Sequence, residues 1–181
     1  MMMPPWLRKL ALVVHITASV GWTGAVAAFL ALAIVGLTSH DAIVVSGMYV
    51  AMDVVAAYSI VPMSIAALLT GIVQSLGTSW GLFRHYWVLA KLLITAVSTV
   101  LLLSHMRGIS FVAAIAGQMA LGSGDLRALR VQLAIDAGAA LGALLVTTLL
   151  SVYKPRGLTP YGWRKQRAER TAPQALDSAA S

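Results

Sequence analysis

The feature that most constrains this chain is the run from Leu10 to Leu37, which contains no Asp, Glu, Lys or Arg. About 20 apolar residues in a helix cross the hydrocarbon core of a bilayer, and this run exceeds that. A helix that is apolar on all sides must be covered all round by protein or by lipid. Three more such segments follow: Ile43 to Leu76, interrupted by Asp53 and Pro62, then Tyr86 to His105 and Val131 to Val152. Only 10% of the chain is charged, against about 25% in a soluble domain. A water-facing surface cannot be built from so few charges. The expected fold class is therefore all-α: a polytopic membrane protein, an antiparallel bundle of four transmembrane helices.

The organisation follows from these runs. Residues 1–9 form an N-terminal segment, 10–156 the four-helix transmembrane domain, and 157–181 a basic, largely disordered tail, with Thr171 to Ser181 its Ala/Ser-rich end. The second run is too long for one straight crossing. At about 1.5 Å per residue it would reach roughly 51 Å, against a core of about 30 Å. Pro62 lies inside it, lacks an amide donor and clashes with the preceding turn, which predicts a kink near Ser59–Pro62. Gly77 to Gly81 reads as a loop and Gly122 to Asp125 as a turn. The apolar stretch from Ile109 to Leu121 is too short to span and is expected to be interfacial or re-entrant. Arg8 and Lys9 before an apolar stretch also resemble a signal peptide, with Ala25-Val26-Ala27 as a cleavage site. The apolar run continues past Ala27 to Leu37, beyond the about 7–15 residues of a secretory core, so a retained span is expected.

The net charge of +7 would suit a nucleic-acid partner, but its distribution does not. The basic residues flank apolar runs or lie in the tail, as membrane-flanking charges do, so the expected partner is the lipid bilayer. With four spans, both termini share a side. That side holds Arg8, Lys9, Arg84, Lys154, Arg156, Arg164, Lys165, Arg167 and Arg170, nine in all, against Arg107, Arg127 and Arg130 on the other. The nine-to-three asymmetry places both termini in the cytoplasm. The absence of cysteine excludes disulfides, thiolate chemistry and cysteine-held clusters.

An ionisable side chain near the bilayer centre costs about 2.5–3.5 kcal/mol on insertion scales, so His15, Asp53, Lys91 and Asp136 stand out, with His105 at the outer end of the third run. His15, Ser19 and Trp22 share one helix face, with Gly21 and Gly24 beside it giving room for a helix or a flat ligand. His15 is either a hydrogen-bonded packing residue or a metal or haem ligand, since neutral imidazole binds metals readily. Trp87, Lys91, Thr95, Ser98 and His105 form a polar stripe that must face the bundle interior. Lys91 lies about as deep as His15, and its alternative is to snorkel to the headgroups. Asp53, His105 and Asp136 belong to the opposite half and could cluster to relay protons or bind a cation. Asp136 can otherwise reach outer headgroup water. Gly138 and Gly142 form a GxxxG pattern that marks a close helix contact, within the bundle or between protomers of a homo-oligomer or larger membrane complex. The methionines form no Met-x-x-Met cluster and read as packing residues.

His15-x6-Trp22-x-Gly24 early in the first span, and Trp87-Val-Leu-Ala-Lys91-Leu-Leu followed by a distal histidine in the third, resemble two related bacterial membrane families. These are the copper-resistance D type and the HemJ-type protoporphyrinogen oxidases. A set of uncharacterised actinobacterial four-helix proteins is similar across the first three spans. The resemblance implies a bacterial cytoplasmic (inner) membrane and haem b, with His15 and Lys91 as the functional residues and Trp22 in the haem environment. His15 would then be the iron ligand, with His105 as an alternative, and Lys91 would pair with a propionate. This chain departs from the oxidases in the wider Lys91–His105 spacing, the missing aromatic signature after Trp22 and its extended second run.

Two functions are therefore expected from the sequence. One is haem-binding redox or tetrapyrrole handling. The alternative is a non-catalytic membrane scaffold or accessory subunit whose polar residues serve helix packing. The charge asymmetry makes its own prediction. A C-terminal alkaline phosphatase fusion is expected to be inactive and a C-terminal fluorescent fusion bright, and a highly active phosphatase fusion would reverse the orientation.

Overall fold

The structure, a computed structural model, describes residues 3–77, 82–117, 124–155 and 157–167. It consists of α1 (Pro5–Thr38), α2 (Ala42–Val55), a π-helical turn (Ala56–Ile60), α3 (Val61–Gly77), α4 (Tyr86–Gly117) and α5 (Gly124–Tyr153). A short helix, α6, follows over 160–167. Four helices are long and apolar enough to cross a membrane: Pro5–Thr38, Ala42–Gly77, Tyr86–Ala116 and Leu126–Tyr153. The chain is an all-α, multi-pass membrane bundle. Val20, Leu69, Leu93, Val100 and Ile135 are all exposed in mid-helix. On a soluble protein so continuous an apolar surface would drive association; here it is the lipid face.

Each span turns one stripe inward. On α1 the buried residues are Ala18, Trp22, Val26, Phe29, Ala33 and Gly36, recurring every three or four positions, the period of one helix face. α1 packs against α2, α3 and α5, and α4 packs against α2, α3 and α5, so α1 and α4 stand across the bundle from each other. The first turn of α1 starts on Pro5, whose missing N–H costs nothing there. The 39–41 connection ends on Asp41, which caps α2 by accepting from the Ile43 and Val44 amides at 2.8 and 3.4 Å.

The second span does not stop at Pro62. The Val61 amide bonds the Ala56 carbonyl five residues back, and the widened Ala56–Ile60 turn carries the helix past the proline. A π turn leaves room where the pyrrolidine ring would meet the carbonyl of Tyr58. Ala56 and Ile60 are buried while Tyr58 between them is exposed, so one face of the irregular turn is covered by protein and its backbone is still helically bonded.

Three expectations change. Residues 109–117 are not a separate interfacial piece; they continue α4 without a break. The first two spans run 34 and 36 residues, and a third span ending at His105 would leave their far ends unpaired. Ile109, Val112 and Ala116 are buried there, and Ser46 Oγ donates to the Ala116 carbonyl at 2.5 Å. Likewise α5 begins at Gly124 rather than after a Gly122–Asp125 turn; Gly122 and Ser123 lie outside the described residues, as do most of the 77–81 loop and all of 168–181. The start of the tail, finally, is folded. Residues 157–159 lie along the 82–85 turn, with Thr159 N–H on the Arg84 carbonyl at 3.0 Å, Tyr86 N–H on the Gly157 carbonyl at 3.3 Å and Thr159 Oγ1 donating to Phe83 O at 2.5 Å. Thr159 also caps α6, accepting from the Gly162 amide at 3.1 Å. This strap ties the end of the fourth span to the start of the third.

At the opposite end, Gly36 of α1 lets Tyr49 of α2 lie against its backbone. A Cβ on Gly36 would sit 2.9 Å from Tyr49 Cε2 and 3.0 Å from Cζ, and Tyr49 is 1% exposed with no room to retreat. Gly36→Ala is expected to destabilise the bundle by about 1–3 kcal/mol, the usual cost of overpacking. The check is thermal unfolding in one detergent beside Gly24→Ala, whose added Cβ meets nothing within 4 Å. Equal midpoints for the two variants would contradict this.

Candidate functional site: polar pairs and an intramembrane cavity

Among the ionisable residues inside the spans, each is fixed by what its neighbouring helix offers. His15 on α1 lies against α3. Thr70 gives its only hydroxyl proton to the Ala66 carbonyl at 2.6 Å, so the 3.0 Å contact with His15 must be donated by Nδ1–H to Thr70 Oγ1. Gly71 admits the ring, since a Cβ there would lie 3.2 Å from His15 Cε1. Lys91 on α4 turns the other way, to α5. Ser151 gives its proton to the Thr147 carbonyl at 2.9 Å and accepts from Lys91 Nζ at 2.6 Å. The ammonium also lies 5.8 Å from the Trp87 ring centroid, within cation–π range. His15 and Lys91 are within electrostatic reach of each other, but each is bonded to a different helix.

The expected Asp53–His105–Asp136 cluster is divided. Asp53 on α2 accepts from Ser110 of α4 at 2.7 Å. His105 of α4 faces Asp136 of α5, with Nε2 to Oδ2 at 3.5 Å. No group of three or more His, Cys, Asp or Glu side chains that could hold a metal ion occurs among the described residues. The extension of two helices places these residues further from the helix ends than their sequence runs suggest. α4 runs on from His105 to Gly117, and Asp136 lies twelve residues after Gly124, the start of α5, roughly 18 Å along the axis at about 1.5 Å per residue. Asp136 is thus not a helix-end carboxylate. Its Oδ2 is buried and has no hydrogen-bond partner, because 3.5 Å is an ion-pair distance too long for a hydrogen bond.

Sequence reasoning missed one site. Arg130, expected only as a flanking charge, enters the bundle. Its Nε donates to Tyr49 Oη at 2.9 Å, another guanidinium nitrogen donates to the Gly36 carbonyl, and the guanidinium lies 5.0 Å from the Tyr49 ring centroid. One cation thereby joins α5, α2 and α1. The signal available was an arginine one residue before an apolar run on the arginine-poor side. Nothing in the sequence pointed to Tyr49.

The bundle also contains a cavity of about 450 Å³, lined by Trp22, Val26 and Phe29 of α1, Ile60 of the π turn, and residues of α4 and α5 that include His105 and Asp136. Trp22 is in its wall; His15 and Lys91 are not. Gly138 and Gly142 make no close contact within the chain, since a Cβ on either would meet nothing within 4 Å. The GxxxG pattern therefore does not bring two helices of this bundle together; its face is turned away from them.

The fold and these pairs define a four-span membrane bundle held by interhelical polar contacts. Comparison of the chain with family models, curated proteins and solved structures finds no match.

The two aspartates are expected to behave differently. Asp53→Leu removes a 2.7 Å interhelical bond and should cost about 0.6–1.7 kcal/mol, the span of such bonds in membranes. Asp136→Leu removes a buried oxygen that has no hydrogen bond and should leave the unfolding midpoint unchanged or raise it. Detergent melts of both variants decide this; a larger loss for Asp136→Leu would make the His105 pair a net stabiliser.

Proposed function

We propose that this chain is a non-catalytic membrane scaffold or accessory subunit of a bacterial cytoplasmic membrane, with both termini in the cytoplasm. The observation that carries the reading is that every side of the four-helix square has its own polar bond. The first and second spans are joined by His15–Thr70, the second and third by Asp53–Ser110 and Ser46–Ala116. The third and fourth are joined by Lys91–Ser151, the fourth and first by Arg130–Gly36. His15, Lys91 and Asp53, which sequence reading would assign to chemistry, have packing partners instead. The outward face of Gly138 and Gly142 is a flat surface on which a partner helix can approach closely.

A haem b site at His15 is the second reading, favoured by one observation. With Nδ1 donating to Thr70, a neutral ring keeps its lone pair on Nε2, the arrangement that orients a histidine toward a metal. Lys91 would then serve a propionate. The scaffold reading is preferred because the volume that could accept a ligand lies along Trp22 and not along His15.

The test separates them. Protein purified from haem-replete cells is expected to be colourless, and Thr70→Val and His15→Ala are both expected to lower the unfolding midpoint by similar amounts. Native electrophoresis of mild-detergent extracts should show the protein in a larger complex, lost on replacing Gly138 and Gly142 by Leu. A stoichiometric Soret band that disappears in His15→Ala and persists in His40→Ala would overturn the scaffold reading in favour of haem.

A further inference from the structure

The His105–Asp136 pair differs from the other polar contacts of the bundle in being incomplete. His105 Nδ1 lies 2.7 Å from the Leu101 carbonyl, which can only accept, so Nδ1 carries a hydrogen. In the neutral ring Nε2 then presents a lone pair. It faces Asp136 Oδ2, another acceptor, at 3.5 Å. At 3.5 Å no hydrogen bond joins the two. A proton taken up by either partner would make the pair both a donor and an acceptor toward a third group.

That third group has a place. The pair is the polar end of the cavity of about 450 Å³, whose remaining lining is apolar apart from Ser98. Trp22 and Phe29 form an aromatic wall on α1, while α5 contributes Ala139, Ala140 and Ala143. Three alanines where α4 and α5 face each other leave the gap that larger side chains would fill. Leu93, Val97 and Leu101 at the cavity's α4 wall are exposed on the lipid face, so the cavity opens sideways into the bilayer between α4 and α5. A lipid acyl chain would match the apolar walls but leave Asp136 Oδ2 without a hydrogen bond. A cation would match the aspartate but not the apolar and aromatic walls.

We propose that this cavity binds a neutral, lipid-soluble ring compound with a carbonyl or hydroxyl oxygen, of the quinone or quinol class, with that oxygen hydrogen-bonded to the His105–Asp136 pair and the ring against Trp22. The ligand enters laterally from the bilayer, and its tail lies toward the alanine-lined gap. Binding satisfies the buried oxygen that the bundle's own side chains leave orphaned. It requires no haem and no role for His15, so it stands apart from both readings above.

The probe is a benzoquinone with a ten-carbon tail, titrated into the detergent-solubilised full chain while tryptophan fluorescence is followed. Quinones quench nearby indoles, and Trp22 is the tryptophan in the cavity wall. Saturable quenching is expected in the parent. Trp22→Phe should remove the saturable component. Asp136→Leu should weaken binding roughly tenfold, the factor expected of one lost hydrogen bond to a charged or proton-sharing group. Ala143→Phe, which fills the cavity without touching the polar pair, should abolish saturation. Should Asp136→Leu fail to fold, Trp22→Phe and Ala143→Phe decide the matter. The proposal is overturned if parent quenching rises linearly with probe, as partitioning into detergent would give. It is equally overturned if saturation survives unchanged in Ala143→Phe or Trp22→Phe, or if a ten-carbon alkane competes as well as the quinone, which would make the cavity a lipid-chain groove.

Discussion

Inside a bilayer there is no water to complete a hydrogen bond, and the whole arrangement of this bundle depends on that constraint. Backbone groups are satisfied by making every span helical, including the π turn that takes the second span past Pro62. Side chains then face the same requirement. Serines and threonines donate to their own helix, as Thr70, Thr99 and Ser151 do, which frees their oxygens to accept from another helix. His15 and Lys91 use two of these oxygens. A hydroxyl whose proton is committed locally is a fixed acceptor. The direction of the His15–Thr70 and Lys91–Ser151 bonds, and the His15 tautomer with them, thus follows from the hydroxyl's own backbone bond. Because lipid is as apolar as leucine, burying apolar surface gives little drive for helices to associate. Such polar bonds and close contacts therefore have a larger share of the work than in a soluble core.

The two ends of the bundle are closed by different means. At the end where the described chain begins and ends, the strap of residues 157–159 lies on the 82–85 turn, and its carbonyls and amides pair with the start of α4. At the other end, Arg130 reaches over Tyr49 to the Gly36 carbonyl, and the glycine is what allows the phenol ring to lie that close. Between the closed ends, α5 faces α4 with alanines rather than leucines. The cavity lies in that middle region, and its depth there follows from the small side chains on one helix.

The four spans were legible because length and apolarity suffice to define a membrane helix. Their ends were less so. The third span stops in sequence at His105 because Arg107 and Gly108 interrupt the apolar run, yet the helix continues to Gly117 because α2 offers Ser46 and a long partner face. Local composition cannot report the length of a neighbour. His15, Asp53, Lys91 and Asp136 could be singled out from their cost in lipid, and His105 from its stripe. Their partners could not, because pairing depends on how each helix is rotated, which near-uniform apolarity leaves open. α4 and α5 carry so little amphipathic bias that neither face announces itself. His15 and Lys91, expected in one layer, are bonded to different helices. Gly138 and Gly142 illustrate the opposite error: the motif was plain, but its spacing does not say whether the contact is within a chain or with another one.

The unequal treatment of the polar residues is itself informative. A sequence that fits its fold satisfies local and tertiary demands together, and departures concentrate where something other than folding is required. Here His15, Asp53, Lys91 and Arg130 each have a hydrogen-bonded partner on another span. For the stability of the bundle alone a leucine at position 136 would serve as well, since the orphaned Oδ2 contributes no hydrogen bond. The position of Asp136 opposite a histidine, at the polar end of the cavity and beside an aromatic wall, sets it apart from the packing contacts. Two polar side chains that cannot quite reach each other are poorly used as glue and well placed to meet an oxygen brought in from the lipid. The polar locks account for how four apolar helices hold one arrangement, and the pair they leave incomplete marks where that arrangement meets another molecule.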